Sequence, residues 1–303
     1  ANELKKITYW VNDTFDSEET HEVFSPTGTN IQAGRNFILN LYGFVGYFEG
    51  LKESKYRIFI KHPVHLEAST SLTEIMSEEP SAYAKYDTDF FAFKRYADVV
   101  DSPIMYSKPD RITFTVNGIE VIFSVYSPNQ THRAIKLMPE MERMMTAQKN
   151  FLGAINTTKK YSILLYLSSA KSDDAQGFGA LEHNTSTLVV LPESLSQEKL
   201  TESLIDVVSH EFFHIVTPLT IHSEEIHNFD YNNPKMSKHL WLYEGTTEYF
   251  SLLFQIRQGL IDRNTFYNRL LEKIKLSKEF DNSFSFTEMS KNILKPPYLD
   301  NYR

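Results

Sequence analysis

Cysteine is absent from the 303 residues of this chain. Disulfides, thiolate metal sites and a cysteine nucleophile are therefore excluded, which leaves His, Asp and Glu as the strong zinc ligands. Long apolar runs are missing too, because the longest candidates, Phe37 to Phe48 and Tyr161 to Leu167, are short or interrupted by polar residues and glycine. We therefore expect no membrane-spanning segment.

An excess of positive charge is also missing. The formal net charge is -8, and no basic run carries interleaved aromatic residues. A nucleic-acid partner is therefore not expected. Apolar residues make up 41% of the chain, which is enough to build sizeable cores in two domains of a soluble globular protein.

The sequence does contain one dense group of metal-ligating residues, His210-Glu211-Phe212-Phe213-His214. Positions i and i+4 project from one face of a helix, so both histidines can bind a single metal ion. Glu211 lies about 100° further round the helix, beside the metal, where it can accept a proton from a metal-bound water. Because this pattern also arises by chance, its surroundings decide its meaning.

Those surroundings favour a metal site. Residues 198–216 carry apolar side chains at three- and four-residue steps, which predicts an amphipathic helix that ends before Pro218. A second helix is predicted over residues 237–259. A catalytic zinc usually has three protein ligands, and Glu244 in this second helix is the candidate for the third. Glu248, one turn further, is predicted to hydrogen-bond a histidine ligand rather than the metal.

This arrangement resembles a known family. The histidine pair, followed by Glu244 within the stretch L-W-L-Y-E-G-T-T-E-Y-F, is similar to the glycyl aminopeptidase family of gluzincin metallopeptidases. Upstream, the segment Gly179-Ala180-Leu181-Glu182-His183 resembles the family's substrate-binding segment, with Ala180 in place of a second glycine. Residues 37–49 and 96–104 resemble its amino-terminal domain, so the resemblance touches most of the chain.

The resemblance implies one zinc ion bound by His210, His214 and Glu244, with Glu211 as the general base of peptide hydrolysis. It also implies a preference for small amino-terminal residues such as glycine and alanine. The zinc ion would lower the pKa of its bound water and polarise the scissile carbonyl.

Four residues of the upstream segment are candidates for substrate binding. Glu182 is expected to bind the free α-ammonium of the substrate through a charge-assisted hydrogen bond. Gly179 and Ala180 lack large side chains, so their backbone can approach the substrate closely. For His183, help in polarising the carbonyl, support of Glu182 and a structural role all stay open.

The predicted fold class is α+β. Residues 1–128 are expected to form a β-rich domain, and residues 129–303 a thermolysin-like catalytic domain, incomplete at its carboxyl end, whose fold rests on the resemblance. A hairpin is predicted at Asn117-Gly118, between strands 111–116 and 120–126. Further elements are expected in the ranges that follow: strands over 37–41, 56–60, 161–167 and 187–191, and a helix over 135–151.

Other histidines are expected to be structural. His62 and His65 flank Pro63-Val64 and are predicted to be strand or turn residues rather than ligands. His222 and His227 lie in a polar loop over residues 218–234, where solvated side chains are the usual case.

Two departures from the family pattern limit this interpretation. The family's transition-state tyrosine is expected in a Y-x-K-G-like segment, and neither Tyr298 nor Tyr302 fits it, so that role is left unassigned. The usual trailing PDZ domain and further helices do not follow Arg303, and the pattern begins part-way at Ala1. We therefore expect a piece of a longer protein. No signal peptide is recognised in this sequence. As for location, the periplasm or secretion is favoured over the cytoplasm.

Two alternatives remain beside the aminopeptidase. A zinc endopeptidase would use the same metal ligands in an open cleft. A truncated or inactive family member would bind without turnover, because a missing tyrosine segment leaves the site half-built.

Overall fold

A computed structural model describes residues 4–16, 23–73, 83–155, 158–171 and 173–301, so Tyr302 lies outside the described residues. The strands are β1 Asn30–Gln32, β2 Asn36–Leu39, β3 Tyr56–Pro63, β4 Glu67–Ser69, β5 Tyr86–Phe93, β6 Ile104–Ser107, β7 Arg111–Val116, β8 Ile119–Tyr126, β9 Lys160–Ser168, β10 Gly179–His183 and β11 Ser186–Pro192. The helices are α1 Tyr96–Val100, α2 Ala134–Leu152, α3 Gln197–Phe213, α4 Glu224–His227, α5 Leu240–Arg257, α6 Arg263–Leu276 and α7 Phe286–Asn292. The predicted α+β class, β-rich first and helical later, is confirmed.

Contacts divide the chain into two compact units. The first consists of Ala1–Thr115, Ile119–Pro139 and Lys160–Leu200, and the second of Val116–Gly118, Glu140–Lys159 and Thr201–Arg303. This division differs from the predicted boundary at residue 128. The reason is strand pairing, because β8, before that boundary, pairs in parallel with β9, after it.

Among the described residues, the strands of the first unit form three sheets. Their strand orders are β1-β2-β6-β4, β10-β11-β9-β8-β7 and β3-β5. Strand β9 is parallel to both of its neighbours and is buried over nearly its whole length, as is typical of a parallel strand covered on both faces. Leu164 and Tyr166 of β9 pack in one core with Ile38 and Met105, which come from the four-stranded sheet.

The hairpin prediction at Asn117-Gly118 is confirmed. The two residues have φ angles of +46° and +83° and connect β7 to β8, which are neighbours in the five-stranded sheet. A two-residue type I′ turn requires positive φ at both positions, which Asn and Gly adopt at low cost.

The second unit is helical around an aromatic core. The ring of Phe213, from α3, lies 5.7 Å from that of Phe254 and 6.2 Å from that of Phe250, both from α5, measured between centroids. Phe151 of α2 contacts Phe213 at 6.1 Å. No helix in the described part of the chain is both long and apolar enough to span a membrane.

Helix ends differ from the sequence prediction. Helix α3 ends at Phe213 rather than Val216, because the backbone N–H groups of His214 and Ile215 bond three residues back, to Glu211 and Phe212. This tighter terminal turn keeps His214 beside the helix. Helix α5 begins at Leu240, and the loop before it contains the short helix α4.

Candidate metal centre

The candidate centre is built from the end of α3 and the first turns of α5. Leu204, Val208 and Phe212 of α3 are fully buried, so the predicted apolar face of this helix is packed into the core. The side-chain amide of Gln148 donates a 2.7 Å hydrogen bond to the carbonyl of Ser209, which ties α2 to α3 next to the histidines. The end of α3 is therefore held firmly on two sides.

Three side chains converge in this position. His210, His214 and Glu244 each offer a ligand atom, and these atoms all lie within 4.8 Å of one another. Nε2 of His210 is 3.3 Å, and Nε2 of His214 is 3.7 Å, from the same carboxylate oxygen, Oε2 of Glu244. Two imidazole nitrogens and one carboxylate oxygen form a ligand set that suits zinc and leaves a fourth position open.

The opposite nitrogen of each imidazole also has a partner. Nδ1 of His210 lies 2.8 Å from Oε2 of Glu248, and Nδ1 of His214 lies 2.9 Å from the carbonyl oxygen of Thr217. Both partners are acceptors, so each Nδ1 carries the hydrogen when the ring is neutral. Each Nε2 lone pair is then directed at the common point, as metal-ligating histidines require.

Glu248 is itself held by Lys273 of α6, which forms an ion pair with its other carboxylate oxygen. The hydrogen bond from His210 lowers the pKa of Glu248 to about 2, with Lys273 adding to the effect and burial opposing it. Burial would lower the pKa of His210, but hydrogen bonds to Glu244 and Glu248 outweigh it and raise that pKa to about 10. The two carboxylates therefore favour a positive charge at His210.

Glu211 lies in the last turn of α3, between the two histidines in sequence, and only 7% of it is exposed. A carboxylate at this position is the general base that the spacing predicts, and that role stays a prediction.

The four predicted substrate-binding residues lie on β10, an edge strand of the five-stranded sheet in the first unit. Gly179 has a φ of +151°, a backbone conformation that favours glycine, and a Cβ atom added there would lie 2.7 Å from the ring of Phe24, which would have to move. Ala180 and Glu182 are half-buried on the same strand. Their contacts with a substrate stay predictions.

His183 ends β10 and is 5% exposed. Its Nδ1 lies 3.4 Å from Oδ1 of Asp101, and the same carboxylate accepts hydrogen bonds from the backbone and side chain of Asn184. Asp101 therefore anchors the turn between β10 and β11.

Sequence reasoning did not identify Lys273, the Thr217 carbonyl or Asp101. Polar residues in an amphipathic helix are usually solvated, so nothing in the sequence associates Lys273 with Glu248. Tyr298 donates a 2.8 Å hydrogen bond to Glu288, and the transition-state tyrosine remains unassigned.

Comparison with solved structures shows the fold. An aminopeptidase N family protein from Idiomarina loihiensis matches 88% of this chain and 45% of its own, with a TM-score of 0.72 and 16% identity. An M1 zinc metallopeptidase from Deinococcus radiodurans matches 87% of this chain and 55% of its own, with a TM-score of 0.51 and 15% identity. The chain thus spans about half the length of each of these structures.

Comparison at the sequence level shows the family. No curated protein matches the chain. The family model of the M61 glycyl aminopeptidase matches residues 203–294, and that of the peptidase M61 N-terminal domain matches residues 1–108. The first match includes the whole candidate centre, and the two together cover about two thirds of the chain. The chain belongs to the M61 glycyl aminopeptidase family.

Proposed function

We propose that this chain carries the metal site of a zinc-dependent aminopeptidase that removes small amino-terminal residues, glycine or alanine, from peptides. One observation supports it most strongly. Nε2 of His210 and Nε2 of His214 face the same oxygen of Glu244, while an acceptor engages each Nδ1. Family membership supports the substrate preference.

In this proposal, one zinc ion is bound by His210, His214 and Glu244. When bound, it supplies a Lewis acid that polarises the scissile carbonyl and acidifies a water molecule. Glu248 and the Thr217 carbonyl hold the two imidazoles in the orientation and tautomer that a metal ligand needs.

Proton transfer is assigned to Glu211. Its carboxylate accepts the proton from the attacking water and passes it to the nitrogen of the leaving amine, so that a neutral amine departs. The residue is 7% exposed, which shields the proton on the carboxylate from exchange with bulk water.

Substrate binding is assigned to β10. An edge strand has backbone N–H and C=O groups that are unpaired within its sheet, so an extended peptide can pair with it. Glu182 on this strand would bind the free α-ammonium of the substrate by a charge-assisted hydrogen bond. Recognition of a free α-ammonium is what distinguishes an aminopeptidase from an endopeptidase.

The first experiment combines metal analysis with hydrolysis of glycyl and alanyl amides by the parent chain, Glu211→Gln and Glu198→Gln. Glu198 lies exposed in the first turn of α3, so its variant is a matched control on the same helix. We expect Glu211→Gln to retain zinc and lose at least about a hundredfold in kcat, since a positioned general base contributes that much or more. The control should match the parent.

Two results would change the assignment. Bound zinc without turnover that depends on Glu211 would favour the inactive family member. Equal cleavage of amino-terminally blocked and free peptides, unaffected by Glu182→Gln, would favour the endopeptidase.

A further inference from the structure

A second cluster of ligand-type side chains lies in the first unit, on the two-stranded sheet. His62 of β3 stands directly opposite Asp87 of β5, and Asp89 follows two residues later, opposite Ile60. Directly opposed residues of an antiparallel pair share one face, and residues i and i+2 of a strand share it too. The imidazole and both carboxylates are therefore on the same side of the sheet.

The three side chains come close together. Their ligand atoms all lie within 4.8 Å of one another. His62 and Asp89 are each 6% exposed, whereas Asp87 is partly open to solvent. A buried imidazole and a buried carboxylate at this distance are costly unless a charge or a ligand compensates them.

The imidazole presents to this cluster a nitrogen that makes no hydrogen bond among the described residues. Nδ1 of His62 lies 3.0 Å from the carbonyl oxygen of Pro63, an acceptor, so Nδ1 carries the hydrogen in the neutral ring. Nε2 is fully buried and has no hydrogen-bond partner among the described residues. It is 3.3 Å from Oδ1 of Asp89, but is not aligned with that oxygen as a hydrogen bond would be.

The carboxylates are oriented from outside the cluster. The hydroxyl of Tyr106, on β6 of the four-stranded sheet, donates a hydrogen bond to Oδ2 of Asp89 and leaves Oδ1 facing His62. The backbone N–H of Thr88 donates a 2.7 Å hydrogen bond to Oδ1 of Asp87. Hydrogen bonds that fix the ligating groups in this way are the usual support of a metal site.

We propose that His62, Asp87 and Asp89 bind a second divalent cation, zinc, in the first unit. One imidazole nitrogen and two carboxylate oxygens suit zinc, and water completes the coordination. The ion links β3 to β5 and, through Tyr106, connects this pair to β6. Its role is structural, because a two-stranded sheet is only marginally stable by itself. This site is separate from the peptidase centre in sequence and does not depend on its function.

A proton is the competing occupant. Burial would lower the pKa of His62, but the carboxylate of Asp89 outweighs burial and raises it. An imidazolium could therefore form an ion pair with Asp89 and compensate the buried charge without any metal. Metal stoichiometry separates the two occupants.

The test counts zinc in the full chain after loading and dialysis against metal-free buffer at pH 7.5. We expect two equivalents in the parent chain and one each in Asp87→Asn and His210→Ala, because each variant removes a ligand of a different site. His65→Gln is the matched control for His62→Gln, since His65 lies outside the cluster and contacts the carbonyl of Gly34. The control should keep two equivalents, and His62→Gln should keep one.

Hydrogen exchange of the β3 and β5 amides provides a second measurement, made in His210→Ala so that only the proposed site can respond. We expect zinc to slow exchange in these strands about tenfold or more, and Asp87→Asn to abolish the effect. The proposal is overturned if His210→Ala binds no zinc while the parent binds one. In that case the single zinc ion of the parent belongs to the proposed peptidase centre, and the proposed function still stands. The proposal of a second cation is also overturned if zinc leaves the exchange unchanged in a folded chain.

Discussion

Removal of Glu248 is the most direct test of how the candidate centre is held. Its carboxylate contacts the metal-distal nitrogen of His210 at 2.8 Å and is paired with Lys273 on its other oxygen. Glu248 is not one of the three residues whose ligand atoms converge, which are His210, His214 and Glu244. Substitution of Glu248 should therefore weaken zinc binding through the orientation and basicity of His210, and leave all three ligands in the chain.

The magnitude follows from the position of Glu248, which holds Nδ1 of His210 at 2.8 Å and is itself fixed by Lys273. Loss of such a supporting partner typically costs about 10- to 100-fold in metal affinity. We therefore expect Glu248→Gln, which keeps an acceptor oxygen, to raise the zinc Kd about tenfold, and Glu248→Ala, which loses the acceptor, to raise it up to about a hundredfold.

The assay is chelator competition at fixed pH on chains whose thermal unfolding has been checked first. Glu272→Gln is the matched control, since Glu272 precedes Lys273 on α6 but is exposed. Lys273→Met should shift the Kd in the same direction as Glu248→Gln, by a smaller factor. A Kd within twofold of the parent for both Glu248 variants would refute the reasoning, as would an equal loss in the control.

Two further predictions concern stability. Burial would raise the pKa of Glu193, but hydrogen bonds from Ser127 and Asn129 outweigh it and lower the pKa below its ordinary value of 4.5. Its stabilising contribution is therefore complete above pH 4.5 and is lost as the pH falls through the folded pKa. Glu193→Gln should reduce the unfolding free energy by about 1–3 kcal/mol at pH 6, and urea titrations should show that deficit shrinking below pH 4.5. Phe213→Ala should cost about 3–4 kcal/mol, because a 4% exposed ring would leave a cavity. Phe250→Ala should cost clearly less, since that ring is 38% exposed, and equal losses in urea unfolding would contradict the packing argument.

Local patterns predicted several elements well because the residues that form them are neighbours in sequence. The hairpin at Asn117-Gly118 follows from turn geometry, and the apolar face of α3 follows from the helical repeat. The end of α3 was less predictable. After Phe213 the backbone N–H groups bond three residues back instead of four, so the α-helix ends there. The apolar repeat continues through residues 215 and 216 and therefore does not reveal this change.

Pairing between distant strands was beyond the sequence pattern. The predicted boundary at residue 128 follows a change from β-rich to helical texture, yet β8 and β9 pair across it. Edge and centre positions in a sheet depend on such pairings, so the position of β10 at an edge could not be inferred from its own residues.

The sequence by itself determined the ligand chemistry of this protein. With no cysteine, metal binding falls to His, Asp and Glu, and the spacing of His210 and His214 predicts two ligands on one side of a helical turn. The sequence also pointed to Glu244 and Glu248, whereas only the tertiary structure decided that Lys273 supports Glu248 and that His62 lies opposite Asp87. Glu248 and Lys273 meet because α5 and α6 pack together, and His62 faces Asp87 because of the register of β3 with β5. Helical periodicity is fixed by backbone geometry, whereas packing and register depend on contacts throughout the fold.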